Sequence, residues 1–363
     1  MKRILQILPD FGLSGAAFAT LNLLPDLVAA GCEIMVVAPR GGERVGMFRK
    51  IDARKISEYV LPGLGGWFDW RGRKLTRAFK PEIVNTTCVE VAALGVPVAK
   101  RCGAPLALTV NRTDGEKYLH KLPLNQVNWG VVALSDAIRT PLILHLRLPE
   151  ERVFIVPNGL DLRQFPASPA RPLVNADQKT RTLVVGTYGT LAENKGQRDF
   201  LKAAALVIAQ GFDVEFLIMG EGADKQYLRD EAGGLGIDNR LTFSFSTMGG
   251  SHNLMNIDVF VEPTHREGFG LSVLQAMASG VPVVASGVGG IFDLVKDGET
   301  GLLVKSQDAK AMSEAISDLL KNPLKRATLA YNARSRVEKE FSSRVVAAKL
   351  LECFGKIANG KYR

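Results

Sequence analysis

Cysteine and histidine are scarce in this chain, four of each in 363 residues, and neither is clustered. Cys32, Cys88, Cys102 and Cys353 form no Cys-x-x-Cys pair, which argues against a disulfide framework or a zinc site and leaves small buried thiols as the expectation. His120, His145, His252 and His265 are too scattered for a metal cluster. No run approaches 18 uninterrupted apolar residues, so no transmembrane helix is expected. The opening "MKRILQILPDFG" is broken by Gln6, Pro9 and Asp10 before a signal-peptide core can form, and a cytoplasmic location follows as an expectation. Low-complexity tracts and internal repeats are also missing. No G-x-G-x-x-G follows the first predicted strand, which disfavours an NAD-dependent enzyme.

What is present is an ordinary globular composition, 46% hydrophobic and 23% charged. At about 150 residues per domain, the length predicts two domains, each with its own core. The net charge of +9 is unevenly placed, because residues 1–165 hold 22 Lys+Arg against 15 Asp+Glu and the window 40–80 alone holds 11 against 4. No nucleic-acid recognition motif accompanies that charge. In the same window Trp67, Phe68 and Trp70 stand before Arg71, Arg73, Lys74 and Arg77, a mixture of aromatics and cations that suits an anionic membrane surface.

Short apolar runs alternate with helical patterns. "RILQIL", "EIMVVAP", "EIVNTT", "PLALTV" and "WGVVALS" read as buried strands, with amphipathic stretches such as "AAFATLNLLPDLVAAG" between them, the pattern of a parallel, doubly wound sheet. The pattern loosens between Pro157 and Pro172 and restarts with "TLVVGTYG", "VEFLIMG", "RLTFSF", "DVFVEPT" and "VPVVAS". The expected domains are therefore 1–165 and 166–340, with 341–363 a C-terminal helix packing back toward the first.

Ligands of open α/β sheets sit beyond the carboxyl ends of the strands, and three strand-to-helix loops stand out there. "PDFGLSGAA" carries Gly12 and Gly15. "YGTLAENKGQRDF" places Lys195 where a phosphate would meet it. "HREGFGLSVLQAMASG" reads as a loop over Glu267 to Gly270 followed by a helix, with Leu271, Leu274 and Ala278 facing the core and Ser272, Gln275 and Ser279 forming a polar stripe. Free amides at Gly270, Leu271 and Ser272 would make that helix start an anion site.

The order and spacing of these loops resemble the retaining glycosyltransferases of family 4, whose GT-B fold has two facing Rossmann-like domains with parallel sheets and an interdomain cleft. The resemblance spans nearly the whole chain. "VPNGLD" at 156–161, "KG" at 195–196, "GEG" at 220–222 and "DGETGLLV" at 297–304 look like family landmarks. "PTHREGFGLSVLQAMASGVPVV" at 263–284 is similar to the family's longest motif.

The resemblance implies a cytoplasmic or membrane-peripheral enzyme that moves a hexose-type sugar from a nucleoside-diphosphate donor, a UDP-sugar above all, to a glycan or lipid-linked acceptor in cell-envelope polysaccharide or lipopolysaccharide synthesis. It implies retention of configuration and neither cofactor nor metal. Lys195 and Glu267 would be catalytic. Donor contacts would come from Gly15, Thr190, Lys195, Glu267, Gly268, Phe269, Gly270, Leu271 and Gln275, and acceptor contacts from Ser14 and Asn111. Two further candidates are not implied by the family pattern: Arg266 on the donor side, as a replacement cation, and His120 on the acceptor side, as a substitute at the Asn111 position.

The Gly-Gly usual in the family's first loop is reduced to Ser14-Gly15, and three functional positions also depart from the family. Thr190 stands where an Arg is usual, Gln275 replaces the second acid, whose role is to hold the ribose, and Asn111 stands where His-Asp is usual. A carboxamide oxygen still accepts from a ribose hydroxyl, more weakly than a carboxylate. These departures keep a second class open, a GT-B nucleotide-sugar-binding or regulatory subunit with impaired turnover. No pair of carboxylates flanking a bond suggests a two-acid hydrolase.

Overall fold

A computed structural model describes residues 1–12, 14–42, 44–60, 70–166, 182–245 and 254–360, with the side chains of 70–73 outside that description. Part of the expected linker and the aromatics Trp67 and Phe68 lie outside the described residues, as do the side chains of Trp70, Arg71 and Arg73.

The contacts divide the chain into two units, Met1–Asp161 with Phe341–Arg363, and Leu162–Glu340. The first crossing falls a few residues before the expected 165/166 boundary. Hydrogen bonds account for the position: the Asp161 amide donates to Asn22 Oδ1 at 2.8 Å, tying it to the first unit, whereas the Phe165 carbonyl accepts from Arg334 at 2.6 Å in the second.

The first unit holds a seven-stranded sheet in the order β3-β2-β1-β4-β5-β6-β7. Its strands are β1 (Arg3–Ile7), β2 (Glu33–Ala38), β3 (Ile56–Val60), β4 (Ile83–Thr86), β5 (Leu106–Val110), β6 (Trp129–Ala133) and β7 (Val153–Ile155), and every pairing is parallel. The central strands are buried on both faces, as a parallel sheet requires, and polar residues among them pair across the sheet, Asn85 Nδ2 donating to Gln6 Oε1 at 2.7 Å and the Thr109 hydroxyl to Asn85 Oδ1 at 3.0 Å. Two strands escaped the sequence pattern for physical reasons: β3 is an edge strand inside the basic segment and β7 has only three residues.

The chain returns to this unit through a π-turn over Val337–Phe341, after which the amides of Leu160 and Ser343 bond the carbonyls of Phe341 and Leu160 at 3.0 and 2.7 Å. The helix Ser343–Asn359 then places Val346, Leu350, Phe354 and Ile357 in the same core as Leu24, Ile34 and Val36. Gly130 makes room for it, since a Cβ there would stand 2.6 Å from the Ile357 side chain. At the far end Asn128 Nδ2 reaches the Ile357 carbonyl at 2.6 Å.

The second unit holds a six-stranded parallel sheet, β10-β9-β8-β11-β12-β13, formed by β8 (Leu183–Tyr188), β9 (Val214–Met219), β10 (Leu241–Ser244), β11 (Val259–Glu262), β12 (Val283–Ser286) and β13 (Leu302–Val304). β13, three residues long, was also missed by the sequence pattern. Helices Gln197–Ala209 and Ala309–Lys321 bury Phe200, Val207, Met312 and Ile316 against it. Strand order reverses between β8 and β11, the kind of switch point beyond whose carboxyl ends ligands of open α/β sheets sit. Among the described residues no helix is long and apolar enough to cross a membrane.

Asn22 offers a test of how the first unit is closed. It is fully buried, its Nδ2 donates to the Phe18 carbonyl at 2.9 Å, and its Oδ1 holds the Asp161 amide. Asn22→Ala removes the buried acceptor of that amide and the bond to the Phe18 carbonyl, so urea denaturation should show a stability loss of about 1–3 kcal/mol. An unchanged midpoint would contradict the bond.

Candidate active site

The loops that follow β8 and β11 meet at the switch point of the second sheet. After β8 the chain runs through Gly189 and Thr190 into a 3-10 turn, Glu193–Lys195, then Gly196 and the helix Gln197–Ala209. Gly196 has φ +70°, and a Cβ there would stand 2.0 Å from the Pro263 carbonyl. Only glycine lets the two loops approach this closely. The contact is fastened by the His265 amide on the Asn194 carbonyl at 2.9 Å and by the Thr264 hydroxyl on the same carbonyl at 3.2 Å. His265 Nε2 also lies 2.7 Å from Asp199 Oδ2 on the helix after Lys195.

The result is a salt bridge between Lys195 Nζ and Glu267 Oε2 at 2.7 Å, half-buried on both sides. Burial pulls the Lys195 pKa down, but the charges of Glu267 and Glu262 outweigh it and leave the ammonium held above its ordinary value. The backbone around Glu267 is equally constrained, since the Gly290 amide donates to its carbonyl at 3.1 Å. A Cβ at Gly290 would stand 2.3 Å from the Gly268 carbonyl.

Gly270, with φ +97°, then starts the helix Leu271–Ala278. No side chain caps this start, and first-turn amides have no intrahelical partners. The helix start and Lys195 are thus two sources of positive charge beside one carboxylate. An anion is stabilised by both.

Beneath the loop lies a polar layer that the sequence motifs did not point out. Glu262, the last residue of β11, is buried and accepts a short hydrogen bond from the Ser272 hydroxyl. Burial, reinforced by the charge of Glu267, pushes its carboxyl up to about 7 against the opposing pull of Lys195 and Ser272. Tyr188, at the end of β8, donates a short hydrogen bond to Gln275 Oε1, and its phenol is held well above its ordinary pKa by burial and by Glu262. A carboxyl closing the otherwise apolar run "VFVE" was the available signal for Glu262.

The structure thus brings together Lys195, Glu267, Gly268, Phe269, Gly270 and Leu271. Thr190 is exposed, and its carbonyl accepts from Gln197 Nε2 at 3.1 Å. Arg266 is also exposed.

Two readings of the helix need correction. Gln275 and Ser279 are not on an open polar stripe, being 2% and 6% exposed, because the helix is buried from Val273 onward and only Leu271 and Ser272 are half-buried. The Gln275 oxygen, expected to accept from a ribose hydroxyl, already accepts from Tyr188.

On the first unit, Ser14 caps the helix Gly15–Ala29, its hydroxyl accepting from the Ala17 amide at 3.3 Å. Gly15 is the first residue of that helix. Asn111 follows β5, half-buried, with its Oδ1 lacking a hydrogen-bond partner. His120 is exposed at the end of a short helix, its Nδ1 2.9 Å from the Lys117 carbonyl.

Comparison with known proteins identifies the family and the fold. A model of the glycosyl transferases group 1 matches residues 174–336, and a model of glycosyltransferase family 4 matches residues 13–164. The capsular polysaccharide biosynthesis glycosyltransferase CapM of Staphylococcus aureus is 27% identical over 294 residues, covering 75% of this chain and 76% of that protein. The phosphatidyl-myo-inositol mannosyltransferase of Mycolicibacterium smegmatis is 25% identical over 367 residues, covering 97% and 88%. In fold, the chain is similar to Anabaena HepE solved in complex with UDP-glucose, with a TM-score of 0.81 at 20% identity over 98% of this chain and 100% of that one. With two doubly wound parallel sheets, each matched by one of the two family models, the chain belongs to the GT-B glycosyltransferases of group 1, family 4.

Proposed function

We propose that the chain is a retaining glycosyltransferase that moves a hexose from a nucleoside-diphosphate sugar, a UDP-sugar above all, to a glycan or lipid-linked acceptor of the cell envelope. The observation that carries this reading is the Lys195–Glu267 pair at the switch point, beside an uncapped helix start. The names of CapM and of the mannosyltransferase support the acceptor class, and the UDP-glucose complex of HepE supports the donor.

Transfer breaks the bond from the anomeric carbon to the donor oxygen, and the electron pair leaves with the diphosphate. Lys195 and the amides at the start of the Leu271–Ala278 helix stabilise that developing anion, the kind of fixed electrostatic support that dominates such reactions. Arg266, exposed on the same loop, supplies a further cation in place of the one missing at Thr190. Glu267 exchanges Lys195 for the sugar hydroxyls and holds the ring. The acceptor hydroxyl bonds to the anomeric carbon from the face the diphosphate leaves, and its proton passes to the departing phosphate oxygen. Ser14, Asn111 and His120 are the acceptor-side candidates, and the unpartnered Asn111 oxygen is the one best suited to accept a hydroxyl proton in a hydrogen bond. On this reading the cations are protein groups, so neither a metal nor another cofactor is required.

A second reading, a nucleotide-sugar-binding or regulatory subunit, is favoured by Thr190, Asn111 and the engaged Gln275 oxygen. Turnover separates the two. With UDP-glucose and other nucleotide sugars screened by thermal shift, a bound donor raises the melting temperature. An active enzyme then transfers the sugar, and transfer persists in excess EDTA. Donor binding without turnover on any lipid or glycan acceptor leaves the subunit reading.

Lys195→Ala and Glu267→Ala should each lower the transfer rate by about 100- to 1000-fold while the protein stays folded by circular dichroism. Near-normal turnover of either folded variant contradicts the assignment.

The basic segment 40–80 is proposed to meet an anionic membrane that presents a lipid-linked acceptor. Lys74, Arg77 and Lys80 are exposed along and just after the helix Trp70–Phe79. Each such cation near an anionic surface contributes on the order of 1 kcal/mol. Co-sedimentation with phosphatidylglycerol vesicles should be strong at low salt and weaken at high salt and in a variant with Arg71, Arg73 and Lys74 changed to Glu. No binding at low salt removes the membrane proposal alone.

A further inference from the structure

Glu262 ends β11 at 4% exposure, a costly place for a carboxyl unless something answers its charge. The groups around it come from every neighbouring element. The turn before the helix Gln197–Ala209 supplies Lys195 and the loop after β11 supplies Glu267, while β8 supplies the Tyr188 phenol. The helix Leu271–Ala278 supplies the Ser272 hydroxyl, which donates to Oε2. β12 sets uncharged Ala285 opposite Glu262 in register. His265 and Asp199, on the flank of the loop, pair with each other. One ammonium therefore answers two carboxyl groups, of which only Glu267 belongs to the loop motif.

We propose that Glu262 is a positioning residue for the donor, which by gaining or losing a proton behind Lys195 sets how much of the lysine's charge is available to the donor diphosphate. The inference rests on the nucleotide-sugar reading above and deepens it.

The sign follows from the charges. Burial and Glu267 push the Glu262 carboxyl up to about 7. Below that pH it is neutral, Lys195 and Glu267 balance, and an arriving diphosphate meets no net charge from the three. Above it the three carry a net negative charge, Lys195 is paired with Glu267 and feels the charge of Glu262 as well, and the diphosphate is repelled. Donor binding is therefore linked to proton uptake, and affinity declines as pH rises through the Glu262 pKa, by at most ~10-fold per pH unit for one coupled proton.

The probe is UDP-glucose, whose doubly esterified diphosphate keeps its charge from pH 6 to pH 8.5. Calorimetry on the full chain, in two buffers of different ionisation enthalpy, reads affinity and proton uptake together. The wild type should bind about 3- to 10-fold more weakly at pH 8.5 than at pH 6 and take up a fraction of a proton near pH 7. Glu262→Gln, which still offers Ser272 an acceptor, should bind with a flat pH profile and no proton uptake. Ser272→Ala keeps the carboxyl but removes the bond that favours its charged form, so the midpoint should move to higher pH.

Equal pH slopes in the wild type and Glu262→Gln, both binding, overturn the inference and leave the donor reading intact. If Glu262→Gln fails to fold, the Ser272→Ala midpoint decides, and an unmoved midpoint overturns the inference. No binding of UDP-glucose by the wild type at any pH overturns the UDP-glucose reading and this inference with it.

Discussion

The second unit is organised by the need to keep one ammonium and one carboxylate together at the place where its sheet changes direction. Lys195 and Glu267 come from loops after strands that are adjacent in the sheet but separated in sequence by two further strands. Bringing them to 2.7 Å requires backbone contacts that a Cβ would forbid, Gly196 against the Pro263 carbonyl and Gly290 against the Gly268 carbonyl. In this half-buried site each charge keeps the other from being stranded without a partner.

That pair stands on a buried polar layer, and the layer explains why the helix after the loop is short and buried. Ser272 and Gln275, three residues apart on Leu271–Ala278, face downward and are bonded by Glu262 and Tyr188. A polar group at this depth is tolerated only when partnered. Fixing the two side chains fixes the helix, and with it the direction of the first-turn amides. The geometry of the helix start is therefore set from below as well as by its own loop.

The first unit solves a different problem. One helix of its core comes from the far end of the chain. Val346, Leu350, Phe354 and Ile357 fill the core, and the backbone bonds of Leu160 to Phe341 and Ser343 hold the return in place. Stability of this unit thus depends on residues more than 300 positions from its first strand.

Much of this was legible in the sequence because the signals are local. A parallel sheet buried on both faces writes itself as continuous apolar runs, and a loop that must accept an anion writes itself as glycines before a helix. The strands β1, β8 and β11, the loops after them, and Lys195 and Glu267 were all visible in that way. Edge strand β3 and the three-residue β7 and β13 were not, because their pattern is too polar or too short. Glu262 and Tyr188 were passed over because a single polar residue at the end of an apolar strand has no period to betray it. Gln275 was visible, but its partner was not: only the packing of β8 against the helix decides that its oxygen meets the Tyr188 hydroxyl. The sequence by itself determined the class of fold and which polar residues its loops carry, since both follow from residue order over a few turns. Tertiary structure alone decided which charges face one another, because that depends on the order of strands in the sheet and on how closely the glycines let their loops approach.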